Sequence, residues 1–394
     1  MNPVSPLPAI VALLLALATC FLLAKIFGSP ADPKRLAAID GLRGYLAFFV
    51  FLHHACIWHF YLQTGRWETP PSNLYTHFGQ SSVAVFFMIT GFLFFSKILE
   101  GRTMPIDWGR LYVSRFLRLV PLYLLAMLLL FMVAAILSGG VAREPISRLA
   151  SELLAWLVFT IAGAPDINGI EHSFTIVAGV TWSLAYEWFF YFSLPLLALA
   201  VKLRPPAAFV ALGFCGVAGL AMWGPEMIPL LSFLAGMAAS ILARSGWFRR
   251  FAAGMVSSLL VSVCLVAAVA FFHSANELAP LLLLSLAFAL MAAGCGLFGI
   301  LDHPLSRTLG ELAYSMYLLH GIALFVIFKL VLGVQASKSL SPVQHWIVVA
   351  GITPILVVIC FLAARHVEQP AMRNTTRVTG WLRARFPKAR GNGK

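Results

Sequence analysis

Long apolar runs dominate the chain, broken by short segments that carry glycine, proline and charge. About twenty apolar residues suffice for a helix to cross a bilayer. Eleven runs near that length predict spans at 8–28, 41–62, 81–99, 116–138, 180–201, 207–223, 227–244, 252–273, 279–300, 311–333 and 343–364. A further apolar run, 151–162, is too short to cross and reads as re-entrant or interfacial. The expected fold is therefore all-α, a polytopic integral-membrane helical bundle of about 11 spans.

Composition agrees. Of the 394 residues, 60% are apolar and 11% charged, with a mean hydropathy of +0.89. Soluble domains run near 45–50% apolar and about 25% charged. No segment is long and polar enough to form a separate soluble domain, so any chemistry sits among the helices or in short loops.

A net charge of +13 would suggest nucleic acid in a soluble protein. Here the distribution of charge gives a simpler account, and no nucleic-acid partner is expected. With the N-terminus outside, twenty-two basic residues fall in inner loops and the tail. Four, Arg66, Arg143, Arg148 and Lys338, fall in outer loops. Positive charge stays on the cytoplasmic side, so this imbalance supports both count and orientation. The first span has the length of a signal peptide but lacks a basic leading region and an A-x-A-like cleavage site, and Lys25, Lys34 and Arg35 follow it. It reads as an uncleaved anchor. The basic tail from Arg365 is expected on anionic lipid at the cytoplasmic surface. The six cysteines lie in apolar runs with no metal-ligand spacing and read as small core residues.

Ionisable groups inside spans cost about 2.5–3.5 kcal/mol each and mark function by default. Span two carries Arg43, His53, His54 and His59, span five Glu187, and span ten His320. Arg43 and His54 stand eleven residues apart, which places them on one helix face with a rise of about 16 Å. A fixed cation at the inner boundary and an imidazole deeper in suit the delivery of an anionic-tailed molecule to a buried base. Arg115 and Arg118, at i and i+3, form a clamp suited to phosphates or serve as ordinary inner-loop charge. Trp182, Tyr186, Trp188 and Tyr191 suit an aromatic belt, yet a belt does not require the Glu187 carboxylate, which needs a cationic partner or a wet cavity. Tyr317 and His320, also i and i+3, either face one cavity or only join helices.

Taken in order, these residues resemble the membrane acyltransferase-3 family. The resemblance rests on Arg43 and His54 with ten residues between them, Phe86-Phe87-Met88-Ile89-Thr90-Gly91-Phe92, and Arg115-x-x-Arg118-x-x-Pro121. It continues in Trp182-Ser183-Leu184-x-x-Glu187, Tyr314-Ser315-x-Tyr317-Leu318-Leu319-His320 and Val367-Glu368-x-Pro370. The chain departs from the family in two places. Span one precedes the usual start, and Thr90 stands where serine is common, which keeps the hydroxyl. The implied organisation is an extra N-terminal helix over 1–34, an acyltransferase-3-like membrane domain over 35–372, a family-like core of 10 spans, and a basic cytoplasmic tail over 373–394.

The resemblance implies transfer of an acyl group, usually acetyl, from cytoplasmic acyl-CoA to a hydroxyl of a cell-envelope saccharide, a lipid-linked glycan or a related acceptor. The expected location is the bacterial inner membrane. His54 is expected to act as general base, with Glu187 orienting its imidazole and Arg43, at the inner end of the same helix face, as the third catalytic residue. Arg43, Arg115 and Arg118 would hold CoA, Trp182, Ser183, Tyr317 and His320 would contact substrate, and no metal is required. The outer segment 163–181, with Asp166, Asn168, Glu171 and His172, is the expected acceptor contact. A transporter or exporter of an envelope precursor would use the same intramembrane Arg, His and Glu. The internal repeat common in transporters is not seen.

Overall fold

The computed structural model describes residues 2–28 and 37–385. Lys34, Arg35 and the tail residues Lys388, Arg390 and Lys394, which entered the charge count, lie outside the described residues. In chain order the helices are α1 (Leu7–Phe27), α2 (Ala37–Thr64), α3 (Asn73–Glu100), α4 (Trp108–Leu137), α5 (Ile146–Leu157) and α6 (Trp182–Ala200). There follow α7 (Ala207–Trp223), α8 (Met227–Leu242), α9 (Gly246–Ala252), α10 (Met255–Phe271) and α11 (Leu278–Ala293). The last group is α12 (Pro304–Glu311), α13 (Ala313–Phe325), α14 (Val334–Lys338), α15 (Pro342–Ala363), α16 (Gln369–Arg373) and α17 (Thr375–Arg385).

Each of the eleven expected spans is helical, so the all-α membrane bundle stands. Their lengths divide them. Among the described residues, seven helices are long and apolar enough to cross a membrane, and α8 becomes an eighth when joined to α9 across a 105° bend. Helices α7, α10 and α11 are shorter, at 16 or 17 residues. Of the run 151–162, residues 151–157 lie in α5, a helix of 12 residues with Glu152 and Trp156 buried on one side.

Local chemistry sets several ends. The Ser72 side chain caps α3 at Tyr75 N, and Asp107 caps α4 at Arg110 N. Ser341 and Gln344 form a reciprocal capping box before α15, whose first residue is Pro342. The Asp107 cap starts α4 two turns before the expected 116, so Arg110, Arg115 and Arg118 all stand on helix rather than loop.

Helix α2 lies at the centre, with nearly every side chain from Gly44 to Leu62 buried. Helices α3 and α8 cross at Gly91 and Gly236. A Cβ at either would run into the facing backbone, at Phe233 and Met88 respectively. Small residues let membrane helices approach closely where apolar burial alone gives little preference over lipid. Around the outside, Phe214, Met222, Val263, Phe271 and Ile347 are exposed, as a lipid-facing surface requires. Cys215 is also exposed on α7, so it is not the core residue expected of it; the other five cysteines are buried.

Residues expected in separate inner loops meet at one face. Arg383 pairs with Asp107, Arg244 donates to Ser96 O at 3.0 Å, and Arg118 reaches Met372. At the opposite face the first residues are tied down, with Tyr75 OH donating to Ser5 O and Trp346 Nε1 to Pro3 O, both at 2.8 Å. Helix α1 thus starts on the face where α3 and α15 start.

Candidate active site

Two cavities line up along the bundle axis. The first, about 250 Å³, opens toward the basic face and gathers Arg43 from α2, Thr90 from α3, Arg115 and Arg118 from α4, Ser183, Glu187 and Tyr191 from α6, and Tyr317 from α13. Three guanidiniums in one small space, with Arg115 Nε lacking a hydrogen-bond partner, are the chemistry of an anion site. Arg115 also lies over the Phe94 ring at 5.2 Å. Arg43 is held near Asp40, one turn away, at 3.9 Å.

The second cavity, about 410 Å³, lies toward the opposite face. Its walls include His53, His54, Gln80, Trp182, Glu226 and Asn276. Trp182, 42% exposed, stands at its rim. The two cavities share Val83, Phe87 and Tyr317 as walls. The cation and the imidazole on one face of α2 therefore open into two abutting cavities, with these three side chains as the septum between them. Tyr317 OH sits in that septum, donating to Val180 O at 3.1 Å with Ser183 Oγ 2.7 Å away.

Glu187 does not orient His54. Its carboxylate accepts hydrogen bonds from Tyr191 OH at 2.6 Å and Thr90 Oγ1 at 3.3 Å, inside the arginine chamber. The hydroxyl retained at Thr90 serves this bond. The reason is geometric: Glu187 projects from α6 into the first cavity, whereas His54 faces the second.

The partner of His54 is His320. His320 Nδ1 lies 2.9 Å from Met316 O, and a carbonyl only accepts, so Nδ1 carries the hydrogen and Nε2 is left as an acceptor. That Nε2 lies 3.0 Å from His54 Nδ1, which must then donate. The same His54 Nδ1–H also faces Val50 O at 3.0 Å. The chain Met316 carbonyl, His320, His54 leaves His54 Nε2 with a bare lone pair in the second cavity. His320 itself has no exposed surface and lines neither cavity, so the expected substrate contact is replaced by a contact with His54.

Other expectations are redistributed too. Tyr186 and Tyr191 do not form a lipid belt. Tyr186 OH accepts from Glu226 N at 2.7 Å, and both rings are buried. Of the segment 163–181, Asp166 and Asn168 are used to hold the loop itself: Asp166 accepts from Ser173 N, and Asn168 binds Arg143 N and Val141 O. The outer cavity instead takes Ala178, Val180 and Trp182 from this region. Sequence reasoning passed over His53, Gln80, Glu226 and Asn276. His53 was visible as an intramembrane histidine; the other three sit at ends of apolar runs with no local signal.

A helical membrane bundle with an arginine chamber behind a histidine chamber suits an anionic-tailed molecule brought to a base, and sequence comparison supplies the class. Residues 36–365 match the profile of the acyltransferase-3 family, described as an acyltransferase domain, and the chain belongs to that family. Among characterised proteins it is similar to the acyltransferase MdmB of Streptomyces mycarofaciens, 25% identical over 382 residues that cover 87% of this chain and 93% of the relative. No solved structure matches. The protein is a multi-pass membrane acyltransferase.

Proposed function

We propose that the protein moves an acyl group, in the first instance acetyl, from cytoplasmic acyl-CoA to a hydroxyl of an envelope saccharide, lipid-linked glycan or related acceptor. The basic face meets the cytoplasm under this reading, as positive charge favours, and the membrane is the bacterial inner membrane. The observation that carries it is the pair of back-to-back chambers, cationic on one side and carrying a bare imidazole nitrogen on the other.

The thioester is already activated, so the protein's task is to position it and to raise the nucleophilicity of an alcohol. Acyl-CoA enters from the basic face, its phosphates balanced by Arg115 and Arg118, with Arg43 deeper. The acceptor enters the other chamber, where Trp182 offers a flat apolar face of the kind that packs on sugar rings. Where the two cavities meet at Tyr317, the thioester reaches the acceptor, and His54 Nε2 removes the hydroxyl proton as the oxygen attacks the thioester carbon. The C–S bond breaks, and the imidazolium returns that proton to the leaving CoA thiolate, so an ester and CoA–SH result with no net proton change. His320 holds His54 in the tautomer that can accept. Glu187 balances the charge of the three arginines. No step needs a metal.

The test uses purified protein in proteoliposomes with labelled acetyl-CoA and candidate saccharides on the opposite side. Acceptor-dependent release of free CoA, with label appearing on the acceptor, is expected. Movement of an acceptor across the membrane with no CoA released would replace transfer by transport.

A further inference from the structure

A third cavity lies on the basic face, outside the membrane core, with a volume of about 920 Å³. Its walls come from three segments distant in sequence: residues 101–109 at the start of α4, the loop 203–206 between α6 and α7, and α17. One wall is aromatic. The rings of Trp108 and Phe209 lie 6.2 Å apart, and Tyr112 stacks on Phe209 at 5.4 Å with planes 4° apart. Two guanidiniums border the space, Arg204 and Arg383. Arg383 is held by Asp107, the α4 cap, and this pair docks α17 as a wall. Arg204 makes no ion pair or hydrogen bond among the described residues and is free to meet an anion.

The groove and the arginine chamber share one helix. Val113 faces the groove and Arg115, two residues on, faces the chamber. Tyr112 OH donates to Tyr191 O at 3.0 Å, and Tyr191 lines the chamber, so the wall between them is continuous. From Asp107 to Arg118 α4 rises about 16 Å. Beyond the diphosphate, the pantetheine arm of CoA has the reach of about five extended residues, roughly 16–18 Å, which carries the thioester from the arginine chamber toward the His54 side.

We propose that this groove seats the nucleotide end of the acyl-CoA donor, with α17 as part of the site. The adenine lies against the Trp108 and Phe209 wall, its ribose 3′-phosphate meets Arg204 and Arg383, and the diphosphate follows α4 for about 10 Å to Arg115 and Arg118. The inference rests on the donor reading above and adds the place of its nucleotide. A groove of this volume is within the range of small-molecule sites.

The test compares two donors on full-length protein in nanodiscs: acetyl-CoA, and acetyl-pantetheine, which has the same thioester and arm without the nucleotide. Arg204→Ala removes a surface cation, and Leu382→Trp fills the groove from α17. Each should lower the kcat/KM preference for acetyl-CoA over acetyl-pantetheine by about tenfold, the worth of one charge-assisted contact. Binding of etheno-CoA should weaken in parallel. A preference unchanged in both variants overturns the site. Loss of bound phospholipid with etheno-CoA binding intact also overturns it, in favour of a lipid headgroup. Etheno-CoA binding that is sensitive to the substitutions, in a protein that transfers from neither donor, would keep the nucleotide site and sink the transferase reading.

Discussion

Replacing His320 with leucine isolates the histidine pair. Leucine keeps much of the volume but offers no acceptor to His54. In the native arrangement the His54 Nδ1–H is shared between His320 Nε2 and Val50 O, each at 3.0 Å. Removing one neutral acceptor withdraws about 0.5–1.5 kcal/mol from the tautomer whose Nε2 is free. The competing tautomer carries its hydrogen on Nε2 and cannot take a proton from the acceptor alcohol. As the imidazolium forms, the lost bond becomes one to a charged group, worth about 1.5–3 kcal/mol. At 1.36 kcal/mol per tenfold, kcat should fall about 10- to 100-fold. KM for donor and acceptor should stay near native, because His320 lines neither cavity. Thiol-reagent detection of CoA release gives both constants. His320→Asn, whose carbonyl oxygen can accept, should recover part of kcat. A leucine variant with kcat within about twofold of native would refute the pairing, since an effect that small is less than one hydrogen bond.

Three further outcomes follow from the geometry. Glu187→Gln leaves three guanidiniums in one chamber without their carboxylate, so the unfolding temperature should drop, and added CoA should raise it more in the variant than in the native protein; equal shifts would contradict the charge-balancing role. Gly236→Leu at the crossing of α3 and α8 forces a side chain into the Met88 backbone and should cost about 1–3 kcal/mol or more in thermal unfolding; an unchanged melting curve would mean the helices are not in that contact. The Asp107 carboxyl, at the basic face, is raised by burial, but the Arg110 N–H and the Arg383 pair outweigh that and hold it below its ordinary value. Its contribution to stability is therefore full above about pH 4, its unfolded value, and is lost as the pH falls further. Asp107→Asn keeps a good cap and should loosen α17 at pH 7, read as faster proteolysis after Arg377, with the difference from native shrinking below pH 4.

The helices were legible because each apolar run is long and bounded by charge, and among the described residues Arg204, Arg244 and Arg383 from the expected inner loops and tail do share one face. Lengths were less legible. The caps at Ser72 and Asp107 extend α3 and α4 beyond their apolar stretches, where hydropathy carries no information. Arg43, His54 and Glu187 stood out because ionisable groups inside a span are costly, and Arg115 and Arg118 because i and i+3 guanidiniums share a helix face. Which of them meet was not legible, because pairing depends on the rotation of α2, α6 and α13 about their own axes. Spacing within α2 put Arg43 and His54 on one face, yet the septum of Val83, Phe87 and Tyr317 comes from other helices. The pairing of His54 with His320 joins residues 266 positions apart and leaves no trace in local pattern. In the 163–181 segment, polarity pointed to acceptor contact, while the loop uses Asp166 and Asn168 for its own folding.

The central claim is that His54 Nε2 takes the acceptor proton, and the most direct measurement is acceptor-dependent CoA release by purified His54→Ala protein at saturating acetyl-CoA. The account requires a fall of about 10²–10⁴-fold in kcat with etheno-CoA still bound and the variant still folded in the membrane. Near-native release from that variant would contradict it.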